Sequence, residues 1–184
     1  MKQAVYCTIK VKENTRTNYI HKIIDRIYKS PDDHTPCPRW CSNGSTVEVV
    51  SADMPLHFDQ VENISKVDVP TGNLQLSFQY PAIRHSGGHL KVYDTPEIAK
   101  KWICEKVCTR LAEMGMNDVR VVEYVHNTRR IDLGDRKNGV TKLPVSFIVA
   151  KCSCDDAGKV MNLMVEGIGK FRFAGLGMVY VSQG

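Results

Sequence analysis

The feature that most constrains the fold of this chain is an order of strand and helix patterns that occurs twice. The first strand pattern covers residues 3–12, where polar and apolar side chains alternate as in a half-buried strand. Its apolar side carries Val5, Cys7, Ile9 and Val11. A helix pattern follows, capped by Thr17 or Asn18, running to about Ser30 and stopped by Pro31. The stripe that would face the core is Ile20, Ile23, Ile24 and Ile27.

The rest of the first half continues this order to β-α-β-β-α-β. Two strands joined by a turn, one or two helical turns and a last strand are predicted, at residues 39–42, 46–52, 57–63 and 66–69 in sequence order. Chains with this order form a ferredoxin-like sheet with its helices on one face. The first unit is therefore expected to cover residues 1–70.

The second half repeats the order over residues 71–184. Its most clearly marked helix runs from Thr95 to Met114, with Pro96 at the first helical position and Gly115 where the helix ends. Asp155 or Asp156 caps the last helix. That helix turns Val160, Met161 and Met164 inward, and the strands are predicted at residues 73–80, 119–126, 143–151 and 173–182. We predict an α+β fold of two tandem ferredoxin-like units, an architecture that hosts many functions and identifies none of them.

Composition excludes several classes of protein. Of 184 residues, 42% are hydrophobic and 24% charged, so the chain can bury a core and is not of the disordered type. No leader and no apolar run of membrane-spanning length is recognised, which predicts a cytoplasmic protein. A net charge of +5 is compatible with nucleic acid but does not demand it.

Seven cysteines raise the questions of disulfides and zinc. In a cytoplasmic protein with a core of this size, reduced thiols are expected. The cysteine pairs 37/41, 104/108 and 152/154 lack the two-residue ligand spacing of zinc sites. We expect no structural metal, although cysteines far apart in sequence could still converge.

The end of the chain carries an unusual glycine pattern. Two Gly-apolar-Gly triplets, with two cations between them, lie between the last helix and the last strand: Gly167, Gly169, Lys170, Arg172, Gly175 and Gly177. Backbone N–H groups exposed by glycines, together with cations, suit phosphates. The alternative is a helix C-cap at Gly167 plus a strand bulge near Gly175, which accounts for two of the four glycines. A mononucleotide P-loop is disfavoured because its motif is absent.

This ending resembles the glycine-rich loop of the repeat-associated RNA-binding (RAMP) superfamily of CRISPR proteins. Residues 146–181 are similar to the C-terminal strand, Asp-capped helix, Gly-Ile-Gly-Lys loop and final strand of the Cascade (type I-E) processing nuclease. More weakly, the Tyr-x-His helix start, the strand at residues 73–84 and the segment 127–142 fall in that nuclease's order. Residues 43–70 match it only in length and pattern.

The resemblance implies a metal-independent endoribonuclease that cuts precursor CRISPR RNA beside a hairpin and retains the product. It implies no cofactor. The expected partners are the CRISPR repeat stem-loop and other subunits of an effector complex, with no membrane.

The chemistry of such cleavage directs attention to histidine. Attack by the RNA 2′-hydroxyl needs an aligned strand, a proton carrier that titrates near neutrality and a cation for the extra phosphorane charge. In the resembling nucleases a tyrosine and a histidine at the first helix start carry catalysis, which corresponds here to Tyr19 and His21, two residues apart instead of three. Lys22 and Arg26 are candidate charge stabilisers. The alternative is that His21 is only a solvated helix residue, and in that case His34 is the best substitute as proton carrier.

The polar segment at residues 127–142 is the second candidate for RNA contact. It is predicted to be a protruding hairpin with clustered cations, and in the resembling family this hairpin grips the repeat stem-loop. The cations are Arg129, Arg130, Arg136 and Lys137. A solvated turn is the alternative, and residues 84–89 are predicted to be a linker. Two rival functions stay open, a non-catalytic RNA-binding scaffold of the same superfamily and a ferredoxin-like small-ligand or protein-interaction module.

Overall fold

The computed structural model describes residues 2–13, 15–29, 38–86, 89–93, 95–131, 141–169 and 175–184. Its strands form two antiparallel sheets of four strands each and one two-stranded sheet. The elements of the first half are β1 (Gln3–Lys10), α1 (Thr17–Tyr28), β2 (Arg39–Asn43), β3 (Thr46–Ser51) and β4 (Val61–Asp68). The second half contains β5 (Gly72–Pro81), β6 (Ile83–Ser86), β7 (His89–Val92), α2 (Pro96–Glu113), β8 (Asn117–Ile131), β9 (Thr141–Cys154), α3 (Ala157–Glu166) and β10 (Val179–Gln183).

Both four-stranded sheets have the strand order of a ferredoxin-like unit. The first sheet is ordered β2-β3-β1-β4 and the second β10-β5-β9-β8, so that in each unit the first strand lies between the third and the fourth. All pairings are antiparallel. The predicted α+β fold of two tandem ferredoxin-like units is therefore confirmed.

Helix α1 packs on one face of the first sheet through its isoleucines. Ile20, Ile24 and Ile27 are buried in a cluster with Cys7 and Ile9 of β1. The helix begins differently from the prediction, because its N-cap is Arg16 and no side chain caps the first turn. Burial of the apolar stripe, and not a capping hydrogen bond, is thus what stabilises α1.

The prediction of helical turns at residues 57–63 is wrong. Residues 52–60 form an irregular crossover, and Val61 already belongs to β4, which pairs with β1. The backbone N–H groups of Leu56 and His57 donate instead to the carbonyl oxygen of Ile27, at 2.8 and 3.1 Å. Within the described ranges the first unit therefore has one helix.

The second unit departs from the prediction at its strands. Residues 83–86 and 89–92 pair as the β6–β7 hairpin where a linker was expected. Strands β8 and β9 are also longer than predicted, because their pairing continues from His126 to Ile131. At the end of the chain, β10 begins at Val179 and not at residue 173.

One buried cluster joins the two units. Ala4 and Val50 of the first sheet lie in the same core as Ile148, Leu163 and Val179 of the second. The chain passes from the first sheet to the second between the end of β4 and the start of β5. No helix among the described residues is long and apolar enough to cross a membrane.

Candidate functional site

Helix α1 presents two polar stripes beside its buried isoleucines. His21, Asp25 and Lys29 follow each other at four-residue spacing and form one stripe. Tyr19, Lys22 and Arg26, at three- and four-residue spacing, are exposed and form the other. The amphipathic pattern that buries the isoleucines thus fixes both stripes at the surface.

The first stripe is centred on the carboxylate of Asp25. Its Oδ2 lies 3.7 Å from Nε2 of His21, and its Oδ1 lies 2.7 Å from Nζ of Lys29. Nδ1 of His21 is buried and has no hydrogen-bond partner among the described residues. A carboxylate beside an imidazole favours one orientation of the ring. The i,i+4 spacing in the sequence could have predicted this pairing, which our sequence analysis missed.

The second stripe joins Lys22 to Tyr19. Nζ of Lys22 lies 5.8 Å from the centre of the Tyr19 ring, within the range of a cation–π contact. The Tyr19 side chain is 57% exposed. Residues two apart on a helix point about 200° apart around its axis, so α1 does not bring Tyr19 next to His21. The structure therefore groups the three predicted catalytic residues as one pair, Tyr19 with Lys22, and a separate His21.

The glycine-rich ending is packed more tightly than an open phosphate cradle would be. Gly167, Gly175 and Gly177 are buried. The N–H of Gly167 donates to Leu163 and that of Gly177 to Gln79, at 2.8 and 3.1 Å. These two N–H groups, which we expected to face phosphate, are therefore used inside the chain.

Two backbone segments of this ending lie directly against each other. Gly167 ends α3 with a φ of +62°, as the helix C-cap interpretation expected. The N–H of Ile168 donates to the carbonyl oxygen of Gly177 at 2.8 Å. A Cβ on Gly167 would collide with that carbonyl oxygen. Close backbone packing thus explains why Gly167 and Gly177 are glycines. RNA binding by the glycines, Lys170 and Arg172 stays a prediction. Residues 170–174 lie outside the described residues.

Strand β2 connects this ending to the core under α1. A Cβ on Gly175 would come 2.6 Å from the ring of Trp40, which is buried in the same cluster as Ile20. Nε of Arg39 donates to the carbonyl oxygen of Glu166 at the end of α3. The glycine-rich ending and the helix that carries His21 are thus packed on neighbouring residues of one strand.

The cations of the predicted hairpin fall in two places. Arg129 and Arg130 belong to β8, paired with Leu143 and Lys142 of β9, and not to a loop. Arg136 and Lys137 lie outside the described residues, as does His34.

At the base of this hairpin lies a hydrogen-bonded chain that we did not predict. Oγ of Ser146 donates to the Tyr124 hydroxyl at 2.8 Å, and that hydroxyl lies 3.1 Å from Nδ1 of His126. Burial raises the pKa of Tyr124 despite the hydrogen bond from Ser146. The contact depends on strand register, since His126 pairs with Ser146.

Metal-ligating residues do not converge within the described ranges. No group of three or more His, Cys, Asp or Glu side chains there could hold a metal ion. Among the cysteines, those that the structure describes are free thiols. Burial raises the pKa of the Cys152 thiol to about 11, and the nearby Cys154 thiol adds to this rise.

The fold and this site define an α+β protein of two tandem ferredoxin-like units, with a histidine–carboxylate pair on the first helix. Solved structures that share this fold over almost the whole chain include proteins of CRISPR systems. Cas6e from Escherichia coli str. K-12 is 16% identical, with 98% of this chain and 99% of that chain covered and a TM-score of 0.68. Thermus thermophilus Cse3, a CRISPR endoribonuclease, bound to an RNA representing a pre-cleavage complex, is 12% identical, with coverages of 98% and 99% and a TM-score of 0.69.

A chain of a CRISPR RNA-guided surveillance complex is 14% identical, with 97% of this chain and 99% of that chain covered and a TM-score of 0.63. No protein-family model matches the sequence. No curated protein matches it either. At these identities the likeness is one of fold, and at that level the resemblance drawn from the glycine-rich ending is confirmed.

Proposed function

We propose that the chain is a metal-independent CRISPR endoribonuclease that binds repeat hairpins and cleaves precursor CRISPR RNA. The observation that carries this proposal is the likeness of fold, over 98% of the chain, to an endoribonuclease bound to RNA. The sequence resemblance of residues 146–181 to the Cascade-type nuclease supports it independently. In this proposal the product stays bound for assembly with other effector-complex subunits.

In the proposed reaction the RNA cleaves itself with help from α1. The 2′-hydroxyl attacks the neighbouring phosphorus, the bond to the 5′-oxygen breaks, and the products are a 2′,3′-cyclic phosphate and a 5′-hydroxyl. His21 carries a proton, as the base for the 2′-hydroxyl or the acid for the leaving oxygen. Asp25 orients its imidazole, and Lys22 stabilises the phosphorane charge.

RNA binding in this proposal uses cations from both ferredoxin-like units. Arg26 extends the exposed stripe of α1 beside Lys22. The hairpin cations and the glycine-rich ending, with Lys170 and Arg172, contact phosphates of the stem-loop. Double-stranded RNA is recognised largely through its backbone and shape, so distributed cations suit this ligand.

The test is cleavage of a panel of labelled CRISPR repeat hairpins in EDTA. We expect one cut with a cyclic phosphate end, and we expect His21→Ala to slow cleavage by about a hundredfold or more while RNA affinity changes little. His57→Ala is the matched control, because His57 is exposed and its backbone lies at the other end of α1. Loss of cleavage in the control, with His21→Ala still active, contradicts the assignment of His21.

The second candidate is a non-catalytic scaffold subunit that holds CRISPR RNA. The likeness of fold to a chain of a surveillance complex favours it. A scaffold binds the same hairpins with strong salt dependence but leaves them uncut, with or without His21. Absence of salt-sensitive RNA binding would contradict both candidates and favour a ligand-binding or protein-interaction module.

A further inference from the structure

A cleft of about 350 Å³ opens between the last turns of α2 and the start of the glycine-rich ending. We call it the α2 cleft. It is lined by Tyr80, Lys106, Thr109, Arg110, Glu113, Gly167 and Gly169. None of these lining residues except the two glycines belongs to the functional residues assigned above, and the cleft is large enough for a nucleotide-sized group.

The glycine wall of the cleft exists because the backbone lies on an aromatic ring. Gly169 has a φ of +87°, and a Cβ there would come 2.7 Å from Cε2 of Tyr80. Any side chain at this position would meet the ring that lines the cleft. This wall is therefore made of backbone and of the Tyr80 ring.

The opposite wall is cationic. Lys106 and Arg110 are one turn apart on α2 and both line the cleft. Nη1 of Arg110 lies 3.0 Å from Oε2 of Glu113, the single carboxylate in the lining. Lys106 forms no ion pair with any residue that the structure describes. The lining thus has a net positive charge and one cation without a counter-charge.

Tyr80 keeps its proton in this setting. Burial raises the pKa of Tyr80, and the nearby positive charge of Arg110 only partly opposes that rise. The phenol therefore adds no negative charge to the cleft near neutral pH. A neutral ring, a backbone wall and two cations favour an anionic ligand of nucleotide size.

We propose that the α2 cleft binds a backbone phosphate of the RNA, with Lys106 and Arg110 as its cationic contacts. This site rests on the proposed function and extends it, since it adds a phosphate contact on α2 to those on α1 and the hairpin. The glycine-rich ending lines this cleft at Gly169 and reaches Trp40, beneath α1, at Gly175. The cleft and the packing beneath α1 thus involve two glycines of the same glycine-rich ending.

The first test removes the charge of Lys106. A repeat hairpin that is 2′-O-methylated throughout cannot be cleaved, and its affinity is measured by fluorescence anisotropy from about 50 to about 300 mM salt. For Lys106→Gln we expect a Kd about three- to tenfold higher, and a slope of log affinity against log salt that is smaller by about 0.7 to 0.9. Lys101→Gln is the control, because Lys101 is exposed on the same helix and does not line the cleft.

A second variant separates a specific contact from general attraction. The double substitution Arg110→Gln with Glu113→Gln leaves net charge unchanged but removes the guanidinium fork from the cleft. We expect it to weaken hairpin binding about threefold or more. Equal affinities for Lys106→Gln, Lys101→Gln and the double variant overturn the site.

The outcomes distinguish this site from the function on which it rests. Wild-type protein that binds no repeat hairpin overturns both. Wild-type protein that binds and cuts the hairpin, with Lys106→Gln behaving as Lys101→Gln, overturns the cleft alone. Stabilisation by inorganic phosphate that is lost in Lys106→Gln, with hairpin binding unchanged, assigns the cleft to a free phosphate and overturns its role in RNA binding.

Discussion

At the scale of single residues, the packing of Gly177 fixes how the last helix meets the last strand. Its carbonyl oxygen accepts from Ile168, and its N–H donates to Gln79 of β5 at 3.1 Å. Its φ of +81° disfavours any residue with a side chain. Gly177 therefore supports the structure around the glycine-rich ending before any ligand is considered.

We predict that Gly177→Ala lowers the free energy of unfolding by about 2 to 4 kcal/mol. The new Cβ would collide with the carbonyl oxygen of Ile168, in addition to the strain of a positive φ. Gly44→Ala is the matched control, because Gly44 has a φ of +63° and nothing within 4 Å of a Cβ. That control should lose only about 1 kcal/mol, and urea unfolding curves measure both variants. Equal losses would show that close packing at Gly177 does not matter.

The sequence marks residue types better than it marks their contacts. Four glycines in two triplets stand out, yet the partner of Gly167 is Gly177 itself, a contact set by how the chain folds back. His21 is recognisable as a titratable residue at a helix start. Its contact with Asp25 follows from helical spacing, whereas the Ser146–Tyr124–His126 chain depends on strand register that the sequence does not fix.

At the scale of elements, α3 is the helix whose start the sequence specifies most fully. Asp156 is its N-cap, and Oδ1 accepts from the N–H groups of Gly158 and Lys159 at 2.7 and 3.2 Å. These two backbone hydrogen bonds lower the pKa of Asp156. Because α3 leads directly into the glycine-rich ending, its start and its end are both defined by local chemistry.

We predict that Asp156→Ala lowers the Tm by about 2 to 5 °C at neutral pH, because the first turn loses its acceptor. Asp156→Asn keeps an acceptor and should lose less. The folded-state pKa of Asp156 lies below its unfolded value, so its contribution is complete above that unfolded value, near pH 4, and is lost as the pH falls through the folded-state pKa. Thermal unfolding from about pH 2 to 7 should therefore show the wild type and Asp156→Ala converging at acid pH. A constant difference would contradict the capping role.

Where propensity and tertiary pairing compete, the sequence is a weaker guide to elements. The segment before β4 was predicted as helix, but pairing of β4 with β1 extends that strand back to Val61. Helix α1 lacks a capping side chain and is specified by its isoleucine stripe alone. The strands of the hairpin likewise extend into the polar segment that suggested a loop, up to Ile131 on β8 and from Thr141 on β9.

At the scale of the whole molecule, a tyrosine and a carboxylate link the two sheets. The Tyr180 hydroxyl of β10 donates to Oε2 of Glu48 on β3, and its oxygen lies 3.5 Å from Sγ of Cys41. Burial, together with Cys41 and Glu48, raises the pKa of Tyr180 far above its usual range. The same carboxylate adds to burial in raising the pKa of Tyr6 to about 12. Tyr180 therefore remains a hydrogen-bond donor between the sheets at any physiological pH.

We predict that Tyr180→Phe lowers the free energy of unfolding by about 1 to 3 kcal/mol, because it leaves a partly buried carboxylate without its donor. Glu48→Gln and the double variant complete a cycle whose coupling energy should be at least about 0.5 kcal/mol. Ser182→Ala is the control on the same strand, since Ser182 is exposed and donates only a long hydrogen bond of 3.5 Å within its own sheet. Urea unfolding measures the wild type and all four variants, and additive effects in the cycle would show that the two side chains act independently.

The tandem fold itself was predictable because both halves show the same order of strand and helix patterns, separated by capping and turn residues. The joint between the halves was not, because Tyr180 and Glu48 are brought together only by the packing of two sheets. The candidate site was predictable only in part. Helix α1 follows from its isoleucine stripe, whereas the packing of the glycine-rich ending against β2 and beside α2 could not be predicted from the sequence.

Helix α1 has both a structural and a proposed functional role, because residues 52–60 form an irregular crossover where a second helix was expected. With no second helix beside it in the described part of the first unit, it alone covers its face of the first sheet, and the same twelve residues carry the proposed proton carrier. Ile20 and His21 are adjacent, as are Ile24 and Asp25. A shift of the helix by one residue would therefore turn His21 and Asp25 into the core and expose the isoleucines. Random substitution should thus find fewer neutral changes in α1 than in α2. Variants meant to alter the proposed cleavage should begin at Tyr19 and Lys22, whose exposed side chains can be changed without loss of the core.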